Sequence, residues 1–160
     1  MKPSRLDTLR AQLAIIVNGE IDLFRAFVEL LDREQVMLIN GETDALIALT
    51  RDKTELYHGL QRHADNRAQL LGRAGLGNSD EAVRAVFQGL PETLGRWDEL
   101  LSLAADAQAR NAINGKLITE RMQHNQAALS VLLAAADQPQ LYDAGGHARL
   151  AGRGRHLGSA

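Results

Sequence analysis

The sequence predicts an all-α fold: an antiparallel, up-and-down bundle of long helices with a left-handed twist, one short helix and a flexible C-terminal tail. Three observations carry this. Apolar residues recur at three-and-four spacing over long stretches, the period of one helix face. The hydrophobic share, 45% of the chain, is mostly Leu and Ala, which favour helices, while aromatics make up only 4% and the β-branched residues that strands want are sparse. Glycine and proline gather where the period stops, at Gly41, between Gly72 and Gly77, and at Gly89 to Pro91.

Composition narrows the function classes. A chain of 160 residues suffices for one domain with a modest core. The absence of Cys excludes disulfides and thiolate metal sites, and is compatible with a reducing cytoplasm. Apolar runs reach only about five residues, against roughly 18 needed to span a bilayer, and Lys2-Pro3 does not begin a signal peptide. A soluble cytoplasmic protein is therefore expected, with no membrane insertion. A net charge of -2 offers no general attraction to nucleic acid.

Taken in order, Ser4 with Asp7 three residues on forms an N-cap with an acid in the first turn. From there Leu6, Leu9, Leu13, Ile16, Val17, Leu23, Phe24, Phe27, Leu30, Leu31 and Leu38 make a broad apolar face of one helix, with Arg10, Glu20, Arg25, Glu29 and Arg33 largely outside it. The helical period passes through Asn18-Gly19, so Gly19 reads as a tolerated glycine rather than a hairpin turn. Asn40-Gly41 is a stop, with Gly41 free to take the left-handed C-cap conformation, and Thr43 is placed to cap the next helix. That second helix, Asp44 to about Leu71, carries a strict heptad seam: Leu46, Leu49, Lys53, Leu56, Leu60, His63, Arg67 and Leu70. Lys53 and Arg67 on it are expected to bury their stems and keep their charge in water. Gly72, Gly75 and Gly77 read as a connector. Asn78 with Glu81 opens a short helix through Phe87, and Pro91 fits the first turn of the last one.

The last helix, Pro91 to Ala136, has apolar positions at Leu94, Trp97, Leu101 and Ala104 and again at Ile118, Met122, Leu129 and Leu132. Between them Gln108, Asn111 and Gly115 fall where a bundle helix would present Leu, with Asn114 beside them. Either a buried Asn fixes the register there, or the packed bundle ends and another surface begins. Residues 1–136 are thus expected to form the bundle domain. Residues 137–160, with Pro139 to break the helix and rich in Gly and Arg after Gly145, are expected to form a flexible tail with a docking segment around 141–143.

The block Asn111, Asn114-Gly115, Leu117-Ile118, Asn125 and the apolar end Leu129 to Leu133, followed by Leu141-Tyr142-Asp143-Ala144-Gly145, resembles the C-terminal half of the FlgN family of flagellar export chaperones. The N-terminal layout is similar too, with a long helix, a turn ending in Gly41, and a second helix with Leu46, Leu49, Lys53, Leu56 and Leu60. The resemblance covers the chain to about Gly145. It implies an all-α bundle that holds the aggregation-prone ends of the hook-filament junction proteins FlgK and FlgL, prevents their premature assembly and brings them to the cytoplasmic domain of the export-gate protein FlhA. It also implies that the gate contact falls on the Leu141-Tyr142 segment. Helix-in-groove docking onto Leu117, Ile118, Met122, Leu129 and Leu132 is the physical form such client binding takes.

Other chemistries are less well supported. Glu55 to His58 is a single Glu-x-x-His unit, whereas di-iron bundles carry two with further glutamates. Glu120 to His124 has the wrong spacing for the second. No nucleophile has an evident base, so neither an enzyme nor a cofactor is implied. Arg149, Arg153 and Arg155 lack aromatic interleaving and make a weak nucleic-acid patch. The remaining alternative is a coiled-coil homodimeric scaffold that uses the same apolar stripe to self-associate.

Overall fold

In the computed structural model, which describes residues 1–137, the chain divides into two units, Met1–Ile118 and Thr119–Ala160. Four helices occur among the described residues: α1 (Arg5–Asn40), α2 (Thr43–Arg73), α3 (Asp80–Val86) and α4 (Pro91–Asp137). No strand occurs among them. The expected all-α architecture is the observed one.

Helix α1 begins and ends by local chemistry. Ser4 Oγ accepts from the Asp7 backbone N–H at 3.0 Å and Asp7 reaches back to the Ser4 N–H at 3.2 Å, closing a capping box that satisfies two otherwise unpaired donors. Its bonds with Ser4 hold the Asp7 carboxyl below the usual carboxylate range. At the other end Gly41 adopts φ 70°, and the Glu42 N–H returns to the Met37 carbonyl at 3.0 Å, the bond of a Schellman stop. Thr43 is not a cap as expected. It is the first residue of α2, and Glu42 at the cap position makes no side-chain cap bond.

The turn is so short that α2 folds back along α1. Two ion pairs show the alignment: Lys53 meets Glu34, and Arg67 meets Glu20, so the partner number falls as the α2 number rises. Helix α4 follows α1 in the same sense, with Arg96 bonded to Asn18, Arg110 to Asp32 and Asn114 to the Leu31 carbonyl. The three long helices therefore run up, down and up. Helix α3 is capped by Ser79, whose Oγ accepts from the Ala82 N–H at 3.1 Å. Asn78, the expected cap, instead accepts from Arg67 at 2.6 Å.

Two apolar clusters hold this unit. The larger joins Leu13, Val17 and Ile21 of α1 to Leu71 of α2, Val83 and Val86 of α3 with the adjoining Phe87, and Trp97 and Leu100 of α4. The smaller joins Phe27 and Leu31 to Ala107, with Leu56 and Leu60 against them. Helix α4 thus turns Trp97, Leu100 and Ala107 inward. The expected seam through Leu101, Gln108 and Gly115 lies to one side, and all three are exposed. A Trp that buries its ring decides the helix rotation more strongly than one Leu does.

Gly19 is not a passive glycine. A Cβ there would lie 2.6 Å from His63 Nε2, and the imidazole is held in place by its Nδ1 at 3.0 Å from the Gly59 carbonyl oxygen. The missing side chain is what lets α2 seat its His63 against α1. Gly19→Ala should therefore gain stability in a His63→Ala background, by up to about 1 kcal/mol from helix propensity, and gain less or lose stability with His63 present. Urea denaturation of the four proteins in this double-mutant cycle measures the difference.

Candidate functional site

Three polar residues are buried in the core, Glu20, Glu34 and Asn114, at 2%, 4% and 1% exposure of the whole residue. Burying a carboxylate is costly unless it is paired and fully hydrogen-bonded. Among the described residues no buried side-chain N or O lacks a hydrogen bond. At one end Lys53 Nζ donates to both Glu34 oxygens at 3.0 and 3.1 Å and to Asn111 Oδ1 at 2.8 Å, which uses all three of its N–H groups. Asn114 Nδ2 donates to the Leu31 carbonyl at 2.9 Å and to Glu34 Oε1 at 2.8 Å. One network therefore ties α1, α2 and α4 together.

The second network sits nearer α3. Arg67 Nε lies 3.1 and 3.2 Å from the two Glu20 oxygens, its Nη1 donates to Asn78, and its guanidinium lies 5.2 Å from the Trp97 ring centroid. Trp97 Nε1 in turn donates to Asp80 at 2.7 Å. That bond, with the Arg84 contact, holds the Asp80 carboxyl below the usual carboxylate range. The tie is thus complete above the ordinary carboxylate pKa and is lost as pH falls through the lowered value.

Lys53 and Arg67 thus depart from the sequence expectation. Their charges are not left in water but satisfy buried glutamates. Glu20, read as lying outside the apolar face, is in the core. A detectable signal existed: Leu13, Val17, Glu20, Phe24, Phe27, Leu31, Glu34 and Leu38 alternate at four and three, so both glutamates occupy seam positions of α1.

Between α2 and α4, over a floor of Phe24 and Phe27 of α1, lies an open furrow of about 610 Å³. Leu60, Ala64, Ala104 and Ala107 line its walls, and Lys53 and Arg67 stand near its ends.

Helix α4 continues through Gly115 to Asp137. Asn111 and Gly115 are exposed, Asn114 is buried and Leu117 is half-buried. Every side chain from Ile118 to Ala136 is exposed, including Ile118 at 40%, Met122 at 59%, Leu129 at 55% and Leu132 at 67%. These residues follow Ala107, Asn111 and Asn114 at helical spacing in the sequence, with Asn125 among them. Leu141 and Tyr142 lie outside the described residues. Glu55 and His58 are both exposed on α2. No helix among the described residues is long and apolar enough to cross a membrane.

A small helical bundle with a long helical stretch of exposed Leu, Ile and Met is a protein built to bind other polypeptides, the class of a chaperone. A family model described as FlgN protein matches residues 1–149, and the chain belongs to the FlgN family of flagellar chaperones, which is not a family of enzymes. Two similar proteins are the Flagella synthesis protein FlgN of Yersinia enterocolitica serotype O:8 / biotype 1B (strain NCTC 13174 / 8081) and that of Yersinia enterocolitica. Each is 25% identical over 145 residues, covering 89% of this chain and 93% of the relative. No solved structure matches the chain.

The Glu34 network yields a stability prediction. Lys53→Met should cost about 3–5 kcal/mol, because it leaves a buried carboxylate without its cation. Glu34→Leu with Lys53→Met should recover more than half of that loss, since no charge then remains buried. Chemical denaturation of both variants checks the order.

Proposed function

We propose that this protein is a cytoplasmic export chaperone that binds the hook-filament junction proteins FlgK and FlgL, prevents their premature assembly and delivers them to the cytoplasmic domain of FlhA. Membership of the FlgN family supports the flagellar setting. The observation that carries the binding reading is the run of exposed apolar residues after Asn114. Ile118, Met122, Leu129 and Leu132 share one face of α4 by their spacing and are at least 40% exposed. An amphipathic client helix laid on Leu117, Ile118, Met122, Leu129 and Leu132 would cover that face, with Met122 adapting to uneven side chains. A client end covered in this way is not available to assemble.

Replacing Ile118 and Met122 by Asp should abolish capture of purified FlgK and FlgL while leaving helix content and melting temperature nearly unchanged, because both side chains are already exposed. Calorimetric titration gives the affinity, and circular dichroism reports the fold. Cooperative unfolding of this variant would instead mark the stripe as core. A mass of two chains that falls to one in the variant, with no client bound by either, would favour the homodimeric scaffold.

The gate contact falls, on this reading, at Leu141 and Tyr142. A Tyr buries apolar area through its ring while its hydroxyl finds a polar partner. Tyr142→Ala should keep stability and client binding and weaken binding to the purified FlhA cytoplasmic domain, most visibly with client bound. Unchanged gate affinity in both titrations would remove the assignment.

A further inference from the structure

We propose that Asn125 sets the register of the helix laid on the exposed stretch of α4, and that this partner carries an amide side chain, Asn or Gln, at the facing position of an otherwise apolar seam. The proposal rests on the reading that a client helix covers the stretch, and it names the chemistry of that client.

Asn125 sits in the middle of the stripe. Met122, Asn125, Leu129, Leu132 and Ala136 follow one another at steps of three, four, three and four, the repeat of a helix seam, and all are exposed. At about 100° per residue Asn125 lies within about 60° of each of the other four, whereas Gln123, His124, Gln126 and Ser130 lie about 100° or more away. A partner that covers the leucines therefore covers the Asn125 amide as well. Water satisfies that amide in the free chain. Under a Leu it has neither donor nor acceptor, which costs about tenfold in affinity.

No charge along the stripe fixes where a partner sits. From Met122 to Ala136 there is no Asp, Glu, Lys or Arg, so the flanking ion pairs that align two helices are missing. Leu129 and Leu132 accept a partner shifted by one heptad, because one Leu replaces another, and Met122 adapts to either. A carboxylate on the partner would accept from the amide but leave the Asn125 oxygen unmatched, and no cation between Met122 and Ala136 would neutralise it. An amide answers both donor and acceptor.

The same helix shows what a seam Asn takes. Asn111 Oδ1 accepts from Lys53 at 2.8 Å, and Asn114 Nδ2 donates to the Leu31 carbonyl at 2.9 Å and to Glu34 at 2.8 Å. Each meets a polar group of another helix.

The test uses the full-length protein and two labelled, designed peptides of about 18 residues, or five turns, one with a single central Asn in a Leu seam and one with Leu throughout. By fluorescence anisotropy the Asn peptide should bind the wild type about tenfold more tightly than the Leu peptide, and the order should reverse in Asn125→Leu. Ile118→Asp with Met122→Asp should abolish binding of both. By calorimetry Asn125→Leu should weaken FlgK and FlgL about tenfold although it adds apolar area to the stripe, with circular dichroism reporting that helix content is kept. Equal affinity of the two peptides for the wild type, the same preference in both proteins, or tighter binding of FlgK and FlgL by Asn125→Leu would each overturn the proposal. So would two chains per particle in the unliganded protein by sedimentation, which would give the facing amide to a second copy. A reversed peptide preference with no binding of FlgK or FlgL to the wild type would uphold the role of Asn125 and remove the identity of the clients instead.

Discussion

The arrangement of the three long helices depends on two buried carboxylates and the cations that neutralise them. Glu20 and Glu34 lie fourteen positions apart on α1 (20 to 34), and Arg67 and Lys53 lie fourteen apart on α2 (53 to 67), so the pairs are in step over two heptads. A slip of one heptad would set Glu34 against Leu46 or Leu60, and Glu20 against Leu60 or Ala74. Either outcome leaves charge buried and unpaired, at a cost of several kcal/mol. Apolar seams of Leu on Leu tolerate such slips far better, because one Leu replaces another. The ion pairs therefore add little net attraction but exclude the competing alignments.

The same pairs decide how α4 attaches. Arg67 holds one end by facing the Trp97 ring, and Lys53 with Glu34 holds the other through Asn111 and Asn114. Asn114 is the last buried residue of α4 among the described residues. A Leu at that position would bury as well but would accept many neighbours and bond to none. An Asn is stable there only where Glu34 and the Leu31 carbonyl can both accept its protons. Both readings of the polar interruption are thus partly met: an Asn fixes register, and the exposed face starts within one turn of it.

This economy of packing has a functional side. The FlgN-family chain uses much of its Leu and Phe on α1 and the first half of α4, and it leaves Ile118, Met122, Leu129 and Leu132 exposed on the second half. Large apolar side chains kept in water at helical spacing are a liability unless another polypeptide covers them. The furrow over Phe24 and Phe27 is a different kind of opening, polar at its ends and apolar along its floor.

Much of the fold is determined by the local sequence. Helix ends follow from Ser4 with Asp7, from Gly41 and from Pro91, because caps, left-handed stops and a missing N–H act within a few residues of themselves. The heptad seam of α2 and the stripe at Ile118 to Leu132 are likewise periodic in one dimension. What tertiary structure alone decided is the partner of each polar seam residue. Glu20 reads as surface until Arg67 stands opposite, Asn78 reads as a cap until Arg67 claims its oxygen, and Gly19 reads as neutral until His63 lies against it. The rotation of α4 was also set this way, since Trp97 turns inward only where Arg67 and Asp80 meet its ring and its N–H. A sequence specifies where charge is carried along a helix, but the energy of a buried charge depends on what stands a few ångströms away, and that neighbour can be forty or more residues distant along the chain, as Arg67 is from Glu20.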